Sequence, residues 1–233
     1  MNLTYHTLLF DADGTLLNFK RSEKNALEHT RVYMQSRLES EEFRQIYHKI
    51  NSSLWIELEE GTISPAGLKT ERFRRFALEL GVSRDPQELS DYYLYKLGKE
   101  SHFLAGAPSL IKALAPHYTM GLISNGLTIV QEARFDRPEI QDYFKSIVIS
   151  EKVGSAKPSA EIFKHSAEDL QIELNKKVLI IGDSLTSDIA GGINAGISTC
   201  WYNPGGWINE SPWKADLEVR SFGELQEILL GKE

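Results

Sequence analysis

Four short runs limit what this chain can fold into. They are Leu8-Leu9-Phe10, Met120-Gly121-Leu122-Ile123-Ser124, Ile147-Val148-Ile149 and Val178-Leu179-Ile180-Ile181, near-continuous in apolar residues and not alternating. A strand with one wetted face alternates, whereas a strand buried on both faces does not. Helix-length segments lie between or after them, near Pro108–Leu114, Thr128–Arg134, Ala160–Leu170 and Ser187–Ala195. A further strand is expected at Ser198–Tyr202 and a weaker one near Leu217–Val219. This rhythm predicts an α/β fold, a buried parallel sheet with helices on both faces.

The texture between the first two strands is different. Residues 18–102 read as helices. Arg21–Leu38 is charged and helix-prone, and Phe43, Ile46, Tyr47, Ile50, Leu54 and Leu58 form one apolar stripe at the 3.6-residue period, which Gly61 interrupts. Ser64-Pro65 and Asp85-Pro86 carry the cap-plus-proline signature of helix starts, with Asp85 and Glu88 spaced for a capping pair. Leu89, Tyr92, Tyr93 and Leu97 supply the next buried side. The expected organisation is a core domain of residues 1–17 and 103–233 and an inserted helical domain of residues 18–102. An insertion there would hang over the strand ends, as a lid does.

Composition removes several classes of function. A net charge of −7 argues against a general nucleic-acid or anionic-membrane surface. No apolar run approaches the roughly 20 residues of a membrane span, and the first residues lack a basic leader and a signal-peptide core. The single cysteine, Cys200, forbids an internal disulfide and suits a reducing compartment, so a cytoplasmic protein is expected. The six histidines have no metal-ligand spacing.

Ligands of open α/β sheets bind beyond the carboxyl ends of the strands, and there this chain concentrates its polar chemistry. The first strand ends in Asp11-Ala12-Asp13-Gly14-Thr15, two carboxylates spaced to project to one side. Ser124-Asn125-Gly126 follows the second strand, as an oxyanion site or a helix cap. Lys157 lies in the loop after the third, positioned to neutralise carboxylates and a phosphate or merely to be a solvated charge. Gly182-Asp183 follows the fourth, with Asp188 a turn later, where a helix-start charge is the alternative. Four clustered carboxylates repel one another unless a cation sits among them. Hard oxygen ligands beside a phosphate site point to Mg²⁺.

Asp11-Ala12-Asp13-Gly14-Thr15, Ser124, Lys157 and Gly182-Asp183 with Asp188 resemble, in order, the four motifs of the haloacid-dehalogenase-like hydrolases. The resemblance covers the whole α/β part. It implies a Rossmann-like core with a helical cap inserted after the first strand. It further implies that Asp11 is a nucleophile forming an aspartyl-phosphate and that Asp13 is the general acid and base. Asp11, Asp183 and the Asp13 carbonyl would hold Mg²⁺, with Asp188 in support from outside the first ring of ligands. Ser124, Asn125 and Lys157 would hold the phosphoryl oxygens. An acid at position 13 weighs against the dehalogenases, whose halide leaving group needs no proton.

Leu54-Trp55, Glu60-Gly61-Thr62-Ile63-Ser64, Val148-Ile149-Ser150-Glu151, Gly191-Gly192-Ile193-Asn194-Ala195-Gly196 and Thr199-Cys200-Trp201-Tyr202-Asn203 are similar to the pyrimidine 5′-nucleotidase branch. This implies a nucleoside monophosphate as substrate, and Trp55 as a ring that stacks on the base or else a cap core residue. A phosphatase or phosphomutase for a sugar phosphate, or a binding module on the same scaffold, is the alternative. A monomer and a homodimer are both compatible with the sequence.

Overall fold

The computed structural model describes residues 5–59 and 62–231. The chain forms two compact units, Met1–Phe19 with Ser101–Glu233, and Lys20–Glu100.

The first unit is built on six parallel strands: β1 (Thr7–Asp11), β2 (Thr119–Ser124), β3 (Ser146–Ile149), β4 (Val178–Gly182), β5 (Ser198–Tyr202) and β6 (Leu217–Val219). They lie in the order β3-β2-β1-β4-β5-β6. The apolar runs are strands buried on both faces, as their lack of alternation requires. Leu8 and Phe10 face one cluster with Met120, Leu122, Leu179, Ile181 and Cys200. Leu9 faces the other, with Ile123, Val148, Val178, Ile180 and Phe163. The order reverses between β1 and β4, and at such a switch point the connections leave in opposite directions and open a crevice. Register places Asp11 beside Ile123 and Phe10 beside Ile181, so β1, β2 and β4 end at one level.

Helices α5 (Ala107–Leu114), α6 (Thr128–Phe135), α9 (Ala160–Leu170) and α11 (Phe222–Leu230) flank the sheet, with short α7 (Pro138–Gln141), α8 (Ser150–Val153) and α10 (Ala190–Asn194). Two differences from the sequence-based expectation have local causes. Helix α11 is additional to it, although Ser221 caps it on Glu224 and Phe222, Leu225 and Leu229 form its buried stripe. The segment expected to be a helix from Ser187 begins at Leu185 as a single π-helical turn running to Ile189. Wide turns of this kind concentrate at functional sites.

The second unit contains α1 from Lys20 onward (the helix spans Phe19–Tyr33), α2 (Ser40–Glu59), α3 (Pro65–Glu79) and α4 (Pro86–Lys99). Phe43, Tyr47, Phe73, Phe76 and Tyr93 are buried together, with neighbouring centroids 4.7–6.3 Å apart. Helix α1 stops at Tyr33, short of Leu38, with Gln35 in the left-handed region (φ 53°). Ser64 and Asp85 cap as expected, on Gly67 and Gln87. The reciprocal bond from Glu88 is not made, because Glu88 accepts from the Tyr33 hydroxyl instead. Glu60 and Gly61, where the stripe is expected to break, lie outside the described residues. Among the described residues no helix is long and apolar enough to cross a membrane.

Candidate active site

Asp11 is the last residue of β1, and only 7% of it is exposed. Beyond it the chain reverses tightly, with Leu16 and Leu17 donating to the Ala12 carbonyl. Gly14 stands in this turn at φ +96°, a conformation that resists a side chain. A Cβ there would lie 2.3 Å from Asp183 Oδ2, so the bare backbone admits the second carboxylate to the site.

Lys157 answers the choice between a site group and a surface charge, because its side chain is 1% exposed. Its Nζ lies 2.5 Å from Asp11 Oδ1 and 2.7 Å from Asp188 Oδ1, and donates to the Ile123 carbonyl at 2.9 Å. Asp11 Oδ1 and the Ile123 carbonyl accept ammonium hydrogen bonds, whereas Asp188 Oδ1 is a charge contact without hydrogen-bond alignment. The loop carrying Lys157 is held by Asn125, whose Nδ2 donates to the Lys157 carbonyl (2.7 Å) and whose Oδ1 accepts from the Lys157 amide (2.8 Å). The Asn125 side chain is therefore engaged with protein; its backbone remains the group expected to meet an oxyanion.

Asp183 follows β4, and its carbonyl accepts from Trp201 Nε1 at 2.9 Å. Asp188 is 1% exposed and combines the two roles that the sequence left as alternatives. Its Oδ2 caps the Ser184 amide at 2.9 Å, and its Oδ1 faces Lys157. Asp11, Asp183 and Asp188 each present a carboxylate oxygen within 4.8 Å of the others. Three carboxylates around one ammonium leave an excess of negative charge in a buried space. Burial pushes Asp183 up to about 6, with Asp188 adding to the effect. Burial likewise holds Asp11 well above the usual carboxylate range, against the pull of Lys157, and Asp188 and Asp183 push the same way. Burial alone would lower the Lys157 ammonium, but Asp11 and Asp188 outweigh it and raise that group. Asp11 Oδ2 is buried with no hydrogen-bond partner. An all-oxygen donor set with excess negative charge and an unsatisfied carboxylate oxygen fits a hard divalent cation. Asp188, expected only in support, belongs to this set by distance.

Ser124 ends β2 and is 1% exposed, and its Oγ accepts from Gln131 Nε2 at 2.6 Å. Asp13 lies apart from the carboxylate cluster. Gln131 Nε2 donates to its Oδ2 at 2.8 Å, and Arg134 reaches it with Nη1 (2.9 Å to Oδ2) and Nη2 (2.7 Å to Oδ1). Gln131 and Arg134, both 1% exposed, are not among the residues that the sequence singles out. Their signal is nevertheless present: a glutamine and an arginine three residues apart on the face of α6 that also buries Val130 and Phe135. The Trp55 side chain lies outside the described residues.

A strand-end carboxylate, a buried lysine and an acidic cluster thus meet at the switch point of the sheet. Residues 5–196 match the model of the haloacid dehalogenase-like hydrolases, and the chain belongs to that family. Among its relatives, the pyrimidine 5′-nucleotidase YjjG of Escherichia coli is 34% identical over 95% of this chain and 96% of its own. The pyrimidine 5′-nucleotidase PynA of Streptococcus pneumoniae is 34% identical over 97% and 95%. The magnesium-bound HAD-hydrolase YfnB of Bacillus subtilis superposes with a TM-score of 0.87, at 34% identity over 97% of this chain and 98% of that one. A 2-haloacid dehalogenase of Pseudomonas syringae, 23% identical, shares the fold (TM-score 0.71).

Proposed function

We propose that this enzyme hydrolyses nucleoside 5′-monophosphates, pyrimidine ones preferred, through an aspartyl-phosphate on Asp11. The observation that carries the reading is the Asp11 carboxylate itself. One oxygen is pinned by Lys157 and the other is buried and unpartnered at the carboxyl end of β1. A nucleophile needs a free lone pair and a fixed approach, and this arrangement supplies both.

In the first step an Asp11 oxygen bonds to phosphorus while the bond from phosphorus to the ribose 5′-oxygen breaks. Asp13 gives that oxygen its proton, and the nucleoside leaves. In the second, Asp13 takes a proton from water as the water cleaves the acyl phosphate, returning Asp11 and releasing phosphate. The Ser124 hydroxyl, the Asn125 backbone and Lys157 steady the non-reacting phosphoryl oxygens, where the transition state gathers charge. Asp11, Asp183 and the Asp13 carbonyl would hold Mg²⁺, with Asp188 in support, and the ion supplies positive charge against those same oxygens.

The nucleotide preference rests on the two pyrimidine 5′-nucleotidases among the relatives. Substrate choice is assigned to the helical unit, with Trp55 as its candidate residue. Cys200 is buried and unpaired, which suits the cytoplasmic location that is part of this proposal. A panel of UMP, dUMP, dTMP, hexose phosphates and para-nitrophenyl phosphate, run with Mg²⁺ and with EDTA, tests the reading. The expected result is metal-dependent release of phosphate, fastest from the pyrimidine nucleotides. Hexose phosphates winning by tenfold would overturn the nucleotide assignment, and no metal-dependent release from any ester would overturn the phosphatase.

A further inference from the structure

Helix α6 builds a second polar layer behind the site, and none of the four motifs includes it. Its members are Gln131 and Arg134, one helical turn apart, facing Ser124 and Asp13 from beneath. A guanidinium can only donate, so the Gln131 atom that meets Arg134 Nη1 at 2.8 Å must be the carbonyl oxygen. The amide nitrogen is then forced to the other side, where it donates both to Asp13 Oδ2 and to Ser124 Oγ. One amide thus ties the end of β2 to the turn after β1, and Arg134 dictates which way round that amide sits.

Three observations fix this pair in place. Arg134 is 1% exposed and its guanidinium lies 5.8 Å from the centroid of the Phe19 ring. The Gln131 side chain occupies the space a Cβ on Gly126 would need, with its Cγ 2.6 Å from that position. The Nη2–Oδ1 approach of 2.7 Å is a charge contact without hydrogen-bond alignment, so the orientation of the Asp13 carboxylate is set by Nη1 and Gln131 at Oδ2. Ser124 gains as well. Because its oxygen accepts from Gln131, its own O–H is directed elsewhere, as a donor.

We infer that Arg134 and Gln131 are positioning residues. They hold the Asp13 carboxylate at the angle from which it reaches the leaving oxygen, and they keep the Ser124 hydroxyl turned outward as a donor. The inference rests on the phosphatase reading above, because it gives Asp13 and Ser124 the work assigned there. Its consequence is selective. Loss of the pair damages proton delivery more than binding, so it is felt most where the leaving oxygen is a poor one.

The test compares kcat/KM, which reports the first chemical step, for two esters. One is para-nitrophenyl phosphate, whose leaving group needs little help, and the other is the alkyl phosphate that the wild type turns over best. Arg134→Met and Gln131→Met are each expected to lower the alkyl value at least tenfold more than the aryl value, mainly through kcat. Arg134→Lys, which keeps the charge but not the fork, is expected to recover part of the ratio. Equal losses on both esters, or none, would overturn the inference while leaving the phosphatase intact. A wild type inert to every phosphomonoester would overturn both. If Arg134→Met does not fold, Gln131→Met carries the same ratio test, because its side chain is neutral and its loss strands no charge.

Discussion

Lys157 Nζ stands 2.5 Å from Asp11 Oδ1, joining the loop between α8 and α9 to the end of β1 across 146 residues of sequence. The contact is buried on both sides. It orients the carboxylate and offsets part of the charge that Asp183 and Asp188 bring to the same volume.

Lys157→Met leaves two buried carboxylates without their counter-charge. Removing one partner of a buried pair costs about 3–5 kcal/mol, so the metal-free variant is expected to melt well below wild type, with Mg²⁺ restoring part of the loss. Turnover of para-nitrophenyl phosphate is expected to fall by roughly 100-fold or more, the scale of losing one transition-state donor. A variant within a few-fold of wild type in rate would show that the lysine serves only stability.

Asp11→Asn removes the proposed nucleophile but keeps the shape. Phosphate release is expected to fall by about 10⁴-fold or more, comparable to the loss of other covalent nucleophiles. Because burial disfavours the charged form of Asp11 and Lys157 keeps Asp188 as a counter-charge, the metal-free variant is expected to melt closer to wild type than Lys157→Met does. Calorimetry of the metal-free proteins checks this.

Asp183 gives a pH dependence whose sign is fixed. Its folded value of about 6 is above the value near 3.9 of an unfolded aspartate. The folded metal-free protein therefore binds more protons than the unfolded one between those limits, and its stability falls as pH rises through that window. Mg²⁺ requires the ionised carboxylate and acts in the opposite direction. The rise in melting temperature produced by saturating Mg²⁺ is expected to grow from about pH 5 to about pH 7 as Asp183 ionises, and to keep growing above that while Asp11, held higher still, follows. Thermal-shift curves with and without the metal decide it. A shift that shrinks over that range would contradict the assignment of Asp183 to the metal.

Gly14→Ala must strain the turn or displace Asp183. A positive φ with a side chain costs of order 1–3 kcal/mol, and the 2.3 Å approach to Asp183 Oδ2 adds a clash with a group that belongs to the acidic cluster. The expected phenotype is a lowered melting temperature with a disproportionate loss of Mg²⁺ affinity, read by calorimetric titration.

Much of this is legible in the chain. The strands betray themselves because residues buried on both sheet faces cannot alternate, and the carboxylates of Asp11 and Asp183 stand out because each ends an apolar run. The starts of α3 and α4 are written in Ser64-Pro65 and Asp85-Pro86, since caps are local. Gln131 and Arg134 are not legible as site residues. On a helix surface a glutamine and an arginine are ordinary, and only the packing of α6 under Ser124 turns them inward. The capping pair at Asp85 fails for a similar reason, because Tyr33 offers Glu88 a partner from another helix.

The sequence alone determined the kind of sheet and the polar residues at the strand ends. Period and chain direction are local properties, carried by neighbouring side chains. Only the tertiary structure decided the strand order β3-β2-β1-β4-β5-β6. It also decided that Lys157 is buried against Asp11 and Asp188, and that Asp13 is oriented from behind by α6. Those facts depend on which distant segments share a volume, and in that volume burial and charge, not sequence spacing, set what each group can do.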